Sequence, residues 1–395
     1  MKTNVKLLIS AAILAGAMSS FPQSAASATN EQEDEQSRNG QSSDKNKSGR
    51  FLFEKETFGG NGRTCSTCHS KQTGKFSIEE AQHRFAKDPN DPLFRSLDSD
   101  DGVGNSFSRL LTTGTVRVDV PLASNVKLVA EPSATHATFF RSTPTTRNVT
   151  TLQQFLMFDG RESNSDLQHQ ALGAMHQHAQ NTVEPTPEQL DKIAEFERTD
   201  ERFFSSKALK RFAEGGPAPK LPPGKTASEK RGREFMNANR QCGVCHSGPM
   251  LDTTTEFETR LGAGSKFAGP GAGLLLGPAS EAFDADNNLV IHPNNPNPNQ
   301  AFEITLPDGS SIVAVVPDLG RAAVTGNPDQ ILDFKIQTLW GIKDTAPYFH
   351  DNSARTLEEV VDHYQRFFQL VDDPASFIQL TEQDKADIVA YMKLL

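Results

Sequence analysis

Hydrophobic and polar positions follow a helical period in several segments after Phe51. Apolar residues recur every three or four positions, as at Leu190, Ile193 and Phe196. The same spacing connects Val360, Val361, Tyr364, Phe367 and Phe368. Helix-start signatures precede four such segments: Ser77-Ile78-Glu79-Glu80, Thr186-Pro187-Glu188-Gln189, Thr226-Ala227-Ser228-Glu229 and Thr356-Leu357-Glu358-Glu359. The pattern therefore predicts a mainly α fold.

One region is instead typical of β structure. The stretch "AFEITLPDGSSIVAVV", residues 301–316, holds Pro307-Asp308-Gly309 between two β-rich runs. Proline and glycine at a break between such runs indicate a hairpin. We expect long loops and one small β-hairpin insertion in the otherwise helical chain.

The amino terminus has the pattern of a secretory signal. Lys2 and Lys6 precede an apolar run over 7–18, and Ala26-Ser27-Ala28 fits a cleavage site. The run is shorter than the roughly 20 apolar residues of a membrane-spanning helix. We predict a signal peptide over 1–28, export to the periplasm and no membrane span.

Two further composition changes divide the chain. Residues 29–50 have almost no apolar side chain and predict a disordered linker. The stretch "AEGGPAPKLPPGKTASEK", residues 213–230, is rich in proline and glycine. It predicts two globular domains, 51–222 and 223–395.

The overall charge is acidic. The formal net charge is −10, and removal of Lys2 and Lys6 with the signal peptide lowers it to −12. This balance disfavours nucleic acid and anionic membrane surfaces as partners.

The chain has four cysteines, and all belong to two C-x-x-C-H segments, Cys65 to His69 and Cys242 to His246. This motif binds haem c covalently, with two thioether bonds and a histidine ligand to the iron. A zinc site would place its two pairs roughly 15–20 residues apart, whereas Cys65 and Cys242 are 177 positions apart. A thioredoxin-type pair requires neither the histidine nor a second copy. We predict two haem c groups attached through Cys65, Cys68, Cys242 and Cys245, with His69 and His246 as proximal iron ligands.

Four longer segments resemble the bacterial dihaem cytochrome c peroxidase and MauG family. They are "FEKETFGGNGRTCSTCH" (53–69), "RSTPTTRN…LMFDGRESNSDLQHQALG" (141–173), "TASEKRGREFMNANRQCGVCH" (226–246) and "DLGRAAVTGNPDQILDFKIQTLWGIKDTAPYFHDNSARTLEEVVDHY" (318–364). The resemblance implies two cytochrome c-like helical domains with their haems facing the interface. It also implies an oxidoreductase that activates hydrogen peroxide, with peroxide reacting at the carboxy-terminal haem. Its partner would be a small cytochrome c, a cupredoxin or an oxidised substrate.

The resemblance also implies candidate catalytic residues. The family has an acidic residue after a Q-A-x-G segment, and the matching position here is Gln180. Glutamine cannot titrate near neutral pH, and His176 and His178 lie close enough in sequence to substitute for it. Many members have a tryptophan between the haems where this chain has Phe158.

Further iron ligands are predicted on the same basis. His136, five residues before Arg141, is the first candidate for the distal ligand of the amino-terminal haem, and His83 is the second. The family's methionine or tyrosine ligand of the other haem has no counterpart in 330–333. That iron is then five-coordinate, or Met250 or another residue reaches it.

Calcium often lies between the domains in this family and is a third candidate cofactor. Residues 97–105 and 284–288 are acidic, but neither has the spacing of a calcium loop. Other functions stay open at this point. They are oxidation of an organic or protein substrate, use of dioxygen, and electron transfer without catalysis.

Overall fold

A computed structural model describes residues 47–237, 241–252, 276–283, 288–371 and 379–395. The region from Lys47 to Leu395 forms one compact unit. The predicted signal peptide and residues 29–46 of the predicted linker lie outside the described residues. No helix in the described ranges is long and apolar enough to cross a membrane.

Short helices carry most of the regular structure. In chain order they are α1 Gly49–Glu54, α2 Cys65–Cys68, α3 Ile78–Lys87, α4 Ser108–Thr113, α5 Leu167–Ala174, α6 Pro187–Thr199, α7 Lys207–Ala213, α8 Ala227–Glu234, α9 Gln241–Cys245, α10 Ala322–Thr325, α11 Leu357–Val371 and α12 Glu382–Met392. A π-helix, Met175–Ala179, continues directly from α5.

All four predicted helix starts are confirmed. Ser77 accepts a hydrogen bond from the Glu80 amide at the start of α3. Thr186 and Thr226 form full capping boxes at α6 and α8. The Thr356 hydroxyl accepts from the Glu359 amide, and α11 begins at the next residue. These caps satisfy amide groups that have no partner within the helix.

The strands form small antiparallel sheets. Their bounds are β1 Thr115–Pro121, β2 Val126–Leu128, β3 His136–Ser142, β4 Phe155–Leu156, β5 Glu162–Ser163, β6 Leu276–Pro278, β7 Glu281–Phe283, β8 Leu289–Ile291, β9 Gln300–Thr305, β10 Ser311–Val316 and β11 Asp333–Lys335. The pairs are β1–β3, β4–β5, β6–β11 and β7–β8, and the three-stranded sheet has the order β10-β9-β2.

The predicted hairpin is confirmed, but β structure is not limited to it. Strands β9 and β10 pair from Thr305–Ser311 to Gln300–Val316, and Gly309 has φ +84° in the turn. The larger β1–β3 ladder was not predicted. Its first strand alternates buried valines with more exposed Arg117 and Asp119, which is the period-2 pattern of a half-buried strand.

The hydrophobic core has three main clusters. One joins β1 and β3 to the β9–β10 hairpin, for example through Phe139 and Phe302. A second joins α11 and α12. A third joins α1 and α6. The predicted domain boundary falls in an irregular segment between α7 and α8, and the division into two domains stays a prediction.

Candidate functional site

The first C-x-x-C-H segment forms the short helix α2. The His69 amide donates to the Cys65 carbonyl at 2.9 Å, which continues the helical turn. The His69 ring lies with Nδ1 2.8 Å from the carbonyl oxygen of Gly74. With Nδ1 protonated, the ring donates there and Nε2 stays free for a metal, as is usual for ligating histidines.

The second segment repeats this geometry. The His246 amide donates to the Cys242 carbonyl at 2.8 Å, and its Nδ1 lies 2.8 Å from the carbonyl oxygen of Leu251. In both segments the carbonyl belongs to the residue five positions after the histidine. Burial lowers the pKa of His69 and of His246, and a neutral ring is the form that binds iron.

The four thiols are free and face two different cavities. Cys65 and Cys68 line one cavity, whereas Cys242 and Cys245 line the other. One zinc ion therefore cannot bind both pairs. Burial raises the pKa of Cys65 and of Cys242 to about 12, so unreacted thiols there stay protonated.

The first cavity, with the open space at its mouth included, has a volume of about 1450 Å³. Beside Cys65, Cys68 and His69, its wall includes Phe53 and Met175. The second cavity, measured in the same way, has a volume of about 1760 Å³. Its apolar wall comes largely from α11, α12 and the segment 334–349, as follows: Phe334, Leu339, Tyr348, Phe349, Val360, Val361, Tyr364, Ile388 and Met392.

Six residues line both cavities and form a shared wall: Thr143, Pro144, Thr145, Phe158, Lys335 and Gln337. Phe158 thus lies between the two C-x-x-C-H segments, at the position that the resemblance gave to an inter-haem tryptophan. A phenyl ring can pack between two cofactors, but it is much harder to oxidise than an indole.

Buried cationic groups also line the cavities. Lys75 and Lys335 are 5% and 7% exposed, and burial lowers the pKa of Lys75 to about 7 and that of Lys335 to about 8. Arg147 lines the second cavity, and its Nε has no hydrogen-bond partner among the described residues. Apolar walls, free imidazole nitrogens, paired thiols and buried cations together fit haem groups, whose propionates are anionic.

The structure separates the three catalytic candidates that follow α5. His178 lines the first cavity, and burial lowers its pKa to about 4. Its ring has no hydrogen-bond partner in the described part of the chain, so its nitrogens are available to a ligand. His176 is exposed and pairs with Glu184 at 2.8 Å. Gln180 is also exposed, with a side chain that accepts from the Asn61 amide group at 3.1 Å, and it lines neither cavity.

These placements differ from the sequence-based expectation in two respects, and the catalytic roles stay predictions. Gln180 follows the π-helix in a left-handed conformation, φ +51°, and lines neither cavity. The segment belongs to the cavity of the amino-terminal motif, whereas the resemblance implied peroxide chemistry at the carboxy-terminal one.

The residues predicted as distal iron ligands lie outside both cavities. His136 is the exposed first residue of β3, and its ring contacts the hydroxyl of Thr135. His83 is exposed on α3. Met250 is buried in the cluster with α1 and α6 and does not line the second cavity. None of these three side chains lines either cavity, and their roles as iron ligands stay predictions.

Two buried groups were missed from the sequence. Glu197, on α6, lines the first cavity, and burial raises its pKa to about 8. His350 lines the second cavity and stacks on Phe334 at a centroid distance of 3.8 Å. The helical period around Ile193 and Phe196 signals that Glu197 is buried, but no sequence signal predicts the location of His350.

The carboxylates of the acidic loop 97–105 all have partners within the protein. Asp98 is buried and pairs with Arg63 at 2.7 Å. Asp100 accepts hydrogen bonds from Ser106, Ser108 and the Arg109 amide, and Asp101 from the amides of residues 103 and 104. The other acidic segment, 284–288, lies outside the described residues except for Asn288.

Known proteins give the following matches. No family model matches the chain. The cytochrome-c peroxidase IdrP1 of Pseudomonas sp. (strain SCT) is 26% identical over 206 residues, which cover 51% of this chain and 48% of that protein. The cytochrome c551 peroxidase of Nitrosomonas europaea is 40% identical over 83 residues, 20% of this chain and 22% of that one. A solved structure of a MauG-like protein associated with microbial copper homeostasis aligns with a TM-score of 0.47 at 20% identity, covering 87% of this chain and 86% of that one.

The matched segments span about half the length of the first relative and less than a quarter of the second. Both relatives carry the name of cytochrome c peroxidases. The chain is therefore similar in sequence to proteins named cytochrome c peroxidases, as the resemblance implied.

Proposed function

We propose that this chain is an exported dihaem c-type oxidoreductase that reduces hydrogen peroxide. Two electrons from a redox-partner protein and two protons would convert one hydrogen peroxide to two waters. The observation that carries the proposal is the duplicated geometry of His69 and His246. Each follows a C-x-x-C helix, bonds a backbone carbonyl through Nδ1 at 2.8 Å and borders its own largely apolar cavity.

In this proposal each C-x-x-C-H segment holds one haem in its own cavity. Cys65, Cys68 and His69 would hold one haem, and Cys242, Cys245 and His246 the other. When bound, such haems supply the iron and the electrons for peroxide reduction. Phe158 in the shared wall would pack between the two groups and exclude water from the path between them.

His178 is the proton-transferring residue of this proposal. Its lowered pKa keeps the ring neutral at pH 7, so a ring nitrogen can accept a proton from a peroxide in the first cavity. The resulting imidazolium, in the same buried place, is a strong acid and can return the proton to the leaving oxygen. Gln180, exposed and outside the cavity, has no part in this step.

Haem attachment is tested by mass spectrometry of the exported chain. We expect two covalent haems in the wild type and one in the double variant Cys242→Ala, Cys245→Ala. Cys65→Ala with Cys68→Ala should also leave one. A mature chain without a haem adduct would exclude the whole proposal.

Proton transfer is tested by steady-state turnover of hydrogen peroxide with a small electron donor. His178→Ala should lower kcat/KM by about 10²–10⁴-fold, the usual contribution of a positioned acid–base group. His176→Ala is the matched control, because this histidine belongs to the same π-helix but is exposed. Equal losses in both variants, or none in His178→Ala, would remove His178 from the mechanism.

A further inference from the structure

A second kind of site lies next to the second cavity. Glu281 of β7 meets His350 and Asp351, and the potential ligand atoms of the three residues all lie within 4.8 Å of one another. Each of the three residues is at most 1% exposed. None of them belongs to a C-x-x-C-H segment.

Several polar atoms of this cluster have no partner. Both ring nitrogens of His350 and Oε2 of Glu281 lack a hydrogen bond in the described ranges of the chain. The His350 Nε2 atom is 3.7 Å from a carboxylate oxygen of Glu281 and 3.7 Å from one of Asp318, beyond hydrogen-bond distance. Buried polar groups are nearly always paired, so three orphan atoms in one cluster point to a bound ligand.

The charge of the surroundings indicates the sign of that ligand. Asp318 and Asp159 share the Arg141 guanidinium, and Arg161 also pairs with Asp159. Two cations therefore balance these two carboxylates.

The other two carboxylates receive only neutral donors. Asp351 accepts from the hydroxyl of Ser280 at 2.8 Å and from the amide of Ser353 at 3.0 Å. Glu281 accepts from the side-chain amide of Asn295 at 2.5 Å. Among the described residues no lysine or arginine pairs with either carboxylate, and a divalent cation would balance both.

We propose that Glu281, His350 and Asp351 bind one divalent first-row transition-metal ion. An imidazole nitrogen with carboxylate oxygens suits Zn²⁺ or Mn²⁺, whereas Ca²⁺ and Mg²⁺ prefer oxygen ligands alone. Ligand atoms about 2.0–2.2 Å from a tetrahedral ion lie about 3.3 Å apart. The observed 3.7 Å between Glu281 and His350 is close to this separation. The ion would connect β7 to the loop that borders the second cavity.

The test measures metals in the exported, haem-loaded protein after chelation, gel filtration and addition of Zn²⁺ or Mn²⁺ alone. Elemental analysis should give one added ion for every two irons in the wild type. Glu281→Gln and Asp351→Asn, which keep the side-chain shape, should each weaken binding at least tenfold. Asp101→Asn is the control, because it removes a carboxylate of the acidic loop 97–105 and should leave binding unchanged.

A second readout covers variants that fold poorly. Chelation should lower the Tm of the wild type, and Zn²⁺ or Mn²⁺ should restore it, whereas chelation should not change the Tm of Glu281→Gln. Absence of a bound ion together with an unchanged wild-type Tm would overturn the proposal. A second result would also overturn it: the wild type binds no ion, and His350→Gln changes the haem spectrum. His350 would then donate a hydrogen bond to a haem propionate. The iron content reports haem attachment separately from the added ion.

Discussion

At the scale of single residues, folding raises the pKa of a carboxyl group in the first cavity, that of Glu197. Glu197 is 6% exposed, and burial raises its pKa to about 8 from an ordinary 4.5. The folded protein therefore holds a proton there that the unfolded chain releases above about pH 4.5. Stability from this group is complete below that pH and is lost as the pH rises towards 8.

Replacing this carboxylate should change the pH dependence of stability. Between pH 5 and pH 8 we expect the free energy of unfolding to fall less in Glu197→Gln than in the wild type, by about 3 kcal/mol. Glu195→Gln, an exposed position on the same helix, should follow the wild type. Denaturant unfolding at both pH values measures the difference, and parallel curves for all three proteins would contradict the assigned burial.

The motifs predicted the attachment residues because their chemistry is encoded in consecutive positions. Cys65 to His69 and Cys242 to His246 needed no tertiary information. The sequence could not separate Gln180 from His178, because the difference between them is tertiary: of the two, only His178 lines a cavity. The two residues are two positions apart, and a π-helix followed by a left-handed residue determines which side chain reaches the cavity. Such irregular backbone has no signature in one sequence.

At the scale of elements, local signals decided what could be predicted. Helix caps and the Pro307–Gly309 turn act over three or four residues, and the structure contains all of them. The pairing of β2 with β9 joins Val126–Leu128 to residues about 175 positions later. Only the folded core, where Val126 packs near Ile304, brings these strands together. The predicted hairpin therefore gained β2 as a third strand that local signals could not predict.

The same glycine-to-alanine substitution at two exposed positions tests the local backbone conformation. Gly309 has φ +84° in the β9–β10 turn, a conformation that strains any side chain, although nothing lies within 4 Å of an added Cβ. Gly173 lies within α5 with the same free space but no positive φ. We expect Gly309→Ala to lower stability by about 1 kcal/mol and Gly173→Ala to raise it by about 0.5–1 kcal/mol.

The opposite signs are the informative result, since both changes add one methyl group to an exposed position. Denaturant unfolding of the two variants measures them directly. A stabilising Gly309→Ala would contradict the turn conformation, and a destabilising Gly173→Ala would contradict the helix.

At the scale of the whole molecule, one buried guanidinium connects distant parts of the chain. Arg141 of β3 is 2% exposed, donates to Asp159 at 2.6 Å, and binds both oxygens of Asp318 at 2.7 and 2.8 Å. Asp159 follows Phe158 of the shared wall, and Asp318 precedes α10. The charges thus fix the first half of the chain to the second beside the cavities.

Removing this cation should destabilise the protein strongly. Arg141→Gln leaves two buried carboxylates without their shared partner, and breaking a buried pair in this way costs about 3–5 kcal/mol. Arg50→Gln is the matched control, because Arg50 is more than half exposed and pairs with Glu54 one helical turn away, an interaction contributing about 0.3–0.5 kcal/mol. We expect a Tm loss in Arg141→Gln many times that of the control, together with less covalently attached haem in the exported chain. Because Arg141 also lines the first cavity, its loss would change the shape and the charge of that cavity directly. An Arg141→Gln protein as stable as Arg50→Gln would mean that the buried charges do not hold the two halves together.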